Sequence, residues 1–235
     1  MIRRAALRCL VWGSWVATLA ACDLEQDASP PKVLAATVVH YELAVDWDGA
    51  SFDGGRRRFV TDLGYEVWVS RWVQSSTSIE LIACERERSH PFDHDVSVVT
   101  HEIVEELTEA DVTTIGTGEG SGLPYCDVYQ VLGRLPVGDE PDVVTWIEGE
   151  FRAPGSEEVE AFFALGTVPI SVLPSLATGA WDDTLAEDEA RVQLVRYPAR
   201  AFDGLELASM SELDIAYAAA QRLAQSADVP WYLGD

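Results

Sequence analysis

From Val39 the chain alternates strictly, with Val39, Tyr41, Leu43, Val45 and Trp47 on one side and His40, Glu42, Ala44 and Asp46 on the other. Successive side chains of an extended backbone point to opposite faces, so this pattern specifies a strand with one face buried. The same signature recurs along the chain. Tyr65 to Gln74 sets Tyr65, Val67, Val69 and Val73 against Trp68 and Trp72. Thr77 to Cys84 is apolar on both faces, through Ile79, Leu81, Ile82 and Ala83, as a central strand requires. Tyr125 to Arg134 alternates again. Asp142 to Arg152, with Val143, Thr145, Ile147 and Phe151 opposite Val144 and Trp146, is turned by Pro154-Gly155-Ser156 into Val159 to Leu165, the clearest hairpin of the chain. Thr167 to Leu173 and Ala190 to Tyr197 add further strands. About eight to ten strands with turn signals at short intervals specify a mainly β protein, an antiparallel β-sandwich in one domain.

One helix is expected near the C-terminus. Ser209-Met210-Ser211-Glu212 forms a capping box that opens a helix to about Ala227, with Leu213, Tyr217, Ala220 and Leu223 facing inward and the whole docked over an end of the sandwich. Thr114 to Gly122, TIGTGEGSG, lacks the Gly-Lys-Ser/Thr of a P-loop, the strand-to-helix context of a dinucleotide fingerprint and a G-x-S-x-G elbow; it is expected to be a hinge between strands.

The N-terminus carries an address. Arg3, Arg4 and Arg8 precede an apolar run from Cys9 to Ala20, the charge and length of an export signal and too short to span a bilayer. Leu19-Ala20-Ala21-Cys22 then resembles the lipobox of bacterial lipoprotein precursors. That resemblance implies cleavage before Cys22, with fatty-acyl chains of the palmitate kind on Cys22 as a membrane anchor; two or more chains give stable attachment where one gives marginal binding. The other reading is a plain cleaved signal peptide. Asp23 resembles the signal that keeps some enteric lipoproteins in the inner membrane. The organisation expected is a leader over 1–21, a flexible tether over 22–32 (its polar DLEQDASPPK ends in a proline pair) and a single β-sandwich domain over 33–235.

The leader holds three of the 16 basic residues and no acidic one, so the mature chain sets 13 basic against 40 acidic residues, a net charge of −27. A chain this acidic repels nucleic acid and anionic headgroups. Its envelope location is oxidising. With Cys9 lost and Cys22 lipidated, Cys84 and Cys126 remain as a pair and are expected to form a disulfide, worth about 4 kcal/mol on the chain-entropy model for a loop of that length. Two buried thiols, or two thiolates on a metal, are the alternatives.

Chemistry gathers between Ser89 and Leu107, which holds His90, His94 and His101 with Asp93, Asp95, Glu102 and Glu105. Imidazole and carboxylate are ligands that zinc and copper accept. If Val96 to Leu107 is helical, Val99, Ile103 and Leu107 make one face and His101 and Glu105 lie a turn apart on another. His101-Glu102-Ile103-Val104-Glu105 departs from the zinc-protease H-E-x-x-H, since its second His is Glu105. Surface histidines beside acidic caps are the plain alternative. Asp46, Asp48 and Asp53 resemble part of a calcium loop without its full spacing, so turn initiation is favoured. Arg56, Arg57 and Arg58 are expected to act as local counter-charge.

The strand ending at Leu81 to Cys84, the His/Asp loop at His90 to Asp95, and the Gly122 to Arg134 entry to the next strand together resemble a group of predicted bacterial lipoproteins and, more remotely, the copper-binding β-sandwich proteins of methanobactin gene clusters (MbnP-like). The resemblance implies a β-sandwich and copper; residue type alone points to His90 and His94 as the ligands, with His101 or His40 as a third. Three functions follow: a lipid-anchored envelope binding protein for copper or another metal ion, an interaction module without metal that meets an envelope protein or glycan, and, last, a hydrolase, for which no nucleophile with a recognisable base is visible. Trp68 and Trp72, on one face, offer an aromatic patch to a sugar or a partner protein.

Overall fold

The computed structural model describes residues 37–84, 97–109, 112–120, 123–177, 179–182 and 189–233. The leader, the tether and the segment with His90 and His94 lie outside the described residues. Fifteen strands are named in chain order: β1 Val38–Val45, β2 Ser51–Asp53, β3 Arg56–Val60, β4 Glu66–Ala83, β5 Val99–Glu106, β6 Val112–Glu119, β7 Pro124–Leu132, β8 Leu135–Val137, β9 Glu140–Val143, β10 Thr145–Arg152, β11 Val159–Gly166, β12 Ile170–Val172, β13 Trp181–Asp182, β14 Glu189–Arg196 and β15 Trp231–Leu233. One helix, α1, spans Glu212–Gln225. The fold is a mainly β, sandwich-like arrangement of open sheets with one helix near the C-terminus, as the alternation specified. No helix among the described residues is long and apolar enough to cross a membrane.

The two strands expected over 65–74 and 77–84 are one strand, β4, of 18 residues. β10 and then β7 pair with one side of it, β3 and then β5 with the other, all antiparallel. Its first half supplies Val67, Val69 and Trp72 to a core shared with β10, β11 and α1; its second half supplies Ile79 and Leu81 to a core shared with β1, β7 and β14. The large sheet is thus covered by the helix over one part and by the sheet β15-β14-β1-β6 over the other. One feature departs from the antiparallel expectation: β1 pairs with β14 in parallel, Val38 opposite Glu189 through Val45 opposite Arg196.

Four further expectations are corrected. The register of β4 against β10 shifts between Glu148 and Gly149, leaving Ser70 as the extra residue, so Trp68 stays outside while Trp72 joins Val67 and Val69 inside, fully buried. Residues 99–106 are the strand β5 and not a helix, because they find a partner edge on β4. TIGTGEGSG is not a hinge: residues 112–119 are the strand β6, paired with β1, and its glycines serve close approach, since a Cβ on Gly118 would stand 2.5 Å from Ser97 O. The helix begins later than expected, with Ser211 as N-cap accepting from Asp214 N–H, and ends at Gln225. Its buried stripe is Ile215, Ala216, Ala219, Ala220, Leu223 and Ala224, while Leu213 and Tyr217 are exposed.

Two of the buried tryptophans have their polar edge satisfied: Trp47 Nε1 donates to Leu107 O at 2.6 Å and Trp72 Nε1 to Thr145 Oγ1 at 3.1 Å. The disulfide forms as expected between Cys84 and Cys126, with Cα atoms 4.9 Å apart, tying the end of β4 to β7.

The two cores meet at a buried ion pair. Arg196 on β14 is wholly buried and its Nη1 lies 2.5 Å from Glu105 Oε1 on β5; burial pushes the Glu105 carboxyl up and the Arg196 charge opposes it. Glu105→Gln leaves the guanidinium without a counter-charge and is expected to cost about 3 kcal/mol, read as a lowered urea midpoint. Glu105→Met combined with Arg196→Leu is expected to recover most of that loss, because the unpaired charge is gone; a double variant as weak as the single would refute the pairing argument.

Candidate functional site

Around the ion pair the middle of β4 is polar and buried, through Gln74, Ser75 and Ser76. β5 places Glu105 opposite Gln74, and β7 brings in the buried Gln130. Gln74 Nε2 donates to Val144 O at 2.7 Å, and Gln130 Nε2 donates to Ser76 Oγ at 3.1 Å. Ser76 Oγ also stands 2.9 Å from His101 Nε2, whose other nitrogen, Nδ1, stands 3.3 Å from Val99 O. Burial, with the nearby Arg196 charge, holds the His101 ring below its ordinary range against the pull of Val99 O. The ring is therefore neutral at pH 7, and the hydrogen bonds select its tautomer: Nδ1–H donates to Val99 O and Nε2 accepts from Ser76 Oγ–H. Both nitrogens are engaged.

Of the metal residues expected from the sequence, His90 and His94 lie outside the described residues, as does the lipidation residue Cys22. His40 stands on β1 with Nε2 3.7 Å from Glu189 Oε2. Among the described residues no group of three or more His, Cys, Asp or Glu is placed to hold a metal ion. Asp48, one of the carboxylates weighed as a calcium ligand, instead pairs with Arg200 at 3.0 Å. What the structure does fix is the frame of the histidine segment. One end is Cys84, in the disulfide; the other is Ser97, whose Oγ donates to Leu81 O at 3.3 Å and whose carbonyl accepts from Tyr41 OH at 2.9 Å.

A second gathering of side chains lies on the outer face of the large sheet, where β3, β4, β10 and β11 run side by side. Arg58 on β3 and Arg152 on β10 both bind the Glu66 carboxylate on β4, and both guanidiniums lie over the Trp68 ring, at 5.8 and 5.7 Å. Arg56 Nη1 pairs with Glu150 at 2.8 Å, and Arg71 lies 4.3 Å over the Trp146 ring, which meets Phe163 edge-on at 5.4 Å. Two of the three consecutive arginines thus serve as counter-charge, as expected; the third, Arg57, donates from Nε to Thr108 O at 3.0 Å. The Trp68 and Trp72 patch does not exist, and Trp68 shares its face with Trp146 and Phe163 instead. A sequence signal for Arg196 and Glu105 was present, since each occupies an inward position of an alternating strand; the outer face had none, because it depends on which strands pair.

No family model matches the chain, and no curated protein matches it. Among solved structures, MbnP from Methylosinus trichosporium is similar to it with a TM-score of 0.32 and 10% identity, over 69% of this chain and 76% of that one. A likeness of that extent fixes no ligand and no residue role.

The Glu66 carboxyl has a pH signature. Burial pushes it up, but the hydrogen bonds and charges of Arg58 and Arg152 outweigh burial and hold it below its ordinary range. A carboxylate whose folded value is depressed stabilises the fold fully above its unfolded value, about 4.3, and loses that contribution as pH falls through the folded value. Glu66→Gln is expected to cost about 2 kcal/mol at pH 7, with the gap in urea midpoint to the parent closing as pH falls below about 4.3. A gap that stays constant with pH would refute the assignment.

Proposed function

We propose that the chain is an extracytoplasmic bacterial lipoprotein, held to a membrane by acyl chains on Cys22, whose sandwich domain is a binding protein and not an enzyme. The observation that supports this is the Cys84–Cys126 disulfide, a bond that persists in oxidising compartments and is rare in the cytosol. The leader and the Leu19-Ala20-Ala21-Cys22 motif supply the route there, and Asp23 favours the inner membrane. On expression in a bacterial host with radiolabelled palmitate, the chain is expected to take up label and enter the detergent phase. Cys22→Ser abolishes both; a labelled serine variant would refute the anchor.

For the ligand, the first reading is a metal ion, copper foremost, bound by His90 and His94 with His101 or His40 as third ligand. Its support is the frame described above, which ties both ends of the segment bearing His90 and His94 to the sheet. A second reading, an envelope module that binds without metal, is favoured by the engagement of both His101 nitrogens. Titration of metal-stripped protein with copper and zinc separates them. The first reading expects saturable binding of about one ion per chain at submicromolar affinity, lost in His90→Ala with His94→Ala. The second expects no binding above that of the double variant.

A further inference from the structure

The outer face of the large sheet holds a groove of about 300 Å³ lined by Arg56, Ser70, Glu148, Gly149, Glu150 and Phe163 with their neighbours. Its base is the backbone at the bulge between β4 and β10, where Gly149 admits no side chain: a Cβ there would stand 2.4 Å from Trp68 O and 2.9 Å from the Phe162 ring. Around this base the polar groups are held in place. Glu150 grips Arg56, Ser70 Oγ donates to Glu148 O at 3.1 Å, and the Glu148 carboxylate stands 4.0 Å from Arg71 Nη1, beyond hydrogen-bond range and open to a ligand. Phe163, 43% exposed, stands at the edge with one side braced by Trp146.

The charged groups at this place are paired. In a chain of net charge −24, Arg56 faces Glu150 and Arg71 stands between Glu148 and Glu106, whose Oε2 lies 3.3 Å from its Nε. A polyanion meets no surplus of guanidinium, and a cation meets no unopposed cluster of carboxylates. The chemistry that fits is neutral, rich in hydroxyl groups and flat on one side. Carboxylate oxygens accept from neighbouring hydroxyls, guanidinium N–H groups donate to them, and an exposed ring takes the C–H face of a sugar; a mostly preformed cleft with a few fixed polar groups is the usual form of a small-ligand site.

We propose that this groove binds a neutral oligosaccharide, with Phe163 stacking on one sugar ring and Glu148, Glu150 and Arg56 reading its hydroxyls. The proposal rests on the reading of the chain as an extracytoplasmic binding protein and supplies the ligand class for its metal-free form.

The test uses the full chain, purified in detergent with EDTA present, so that neither export nor the histidines enter the result. Cellohexaose, maltohexaose and chitohexaose are titrated by calorimetry and by tryptophan fluorescence. At least one is expected to bind saturably. Phe163→Ala is expected to weaken that binding about tenfold, equivalent to about 1.4 kcal/mol, and Glu148→Gln to weaken it in the same direction. Phe163 is exposed and Glu148 half-buried, and an unchanged melting temperature in each variant confirms that the fold is kept. His90→Ala with His94→Ala is expected to change nothing, so a failed copper titration leaves this proposal standing. Failure of all three sugars to bind overturns it, as does undiminished binding by Phe163→Ala. Sedimentation showing a dimer that Phe163→Ala dissociates overturns it too, by giving the face to a second copy of the chain.

Discussion

One strand, Glu66–Ala83, is hydrogen-bonded on both sides over most of its length, and every other layer takes its position from it. A strand of ordinary length belongs to one core. This one crosses from a core roofed by a helix to a core roofed by a second sheet, so its side chains must face correctly in both. Strict alternation over that distance fails to do so. Ser70 supplies the correction against β10, whereas a second shift of register, at Thr77, puts its extra residue in the neighbouring β5. Each irregularity re-aims the side chains beyond it, which is how Trp72 enters the core and Trp68 stays outside.

Between the two apolar cores the same strand passes through a polar layer. Its energetics differ from those of the cores on either side. Apolar packing tolerates small slides, whereas a guanidinium with no exposure tolerates none, since displacement from Glu105 leaves a charge in a medium that solvates it poorly. The pair joins β5 of the large sheet to β14 of the small one. It therefore sets the register of one sheet over the other more narrowly than the leucines and valines beside it do.

Much of the architecture was legible in the sequence. β1, the β10–β11 hairpin and the pairing of Cys84 with Cys126 all rest on local signals: alternation, a Pro-Gly turn, and a count of cysteines in a chain read as exported. The misreadings share a cause. His101 and its neighbours had helical spacing in the sequence yet formed a strand because β4 offered an edge; Gly116 and Gly118 looked like a hinge because glycine's usual meaning is freedom, whereas here Gly118 makes room for Ser97. Leu213 and Tyr217 were assigned inward by size, while small alanines let the helix approach the sheet along another stripe. For the candidate sites, the histidines were visible as residue types. The groove was invisible, because Ser70, Glu148 and Phe163 meet only through the pairing of β4, β10 and β11.

The parallel pairing of β1 with β14 has a bearing on how the protein comes to exist. Val38 must wait for Glu189, and in a chain synthesised N-terminus first, most of the domain appears before that partner does. During this interval β1 can lean on β6, but its other edge is an unmatched ladder of amides beside a growing set of strands. Loop closure over such a span is slow, and slow closure lengthens exposure to wrong partners. The fold thus has a temporal order written into its topology. The first of the described strands to arrive is among the last to be sealed, and the vulnerable stage of this molecule is its assembly rather than its folded life.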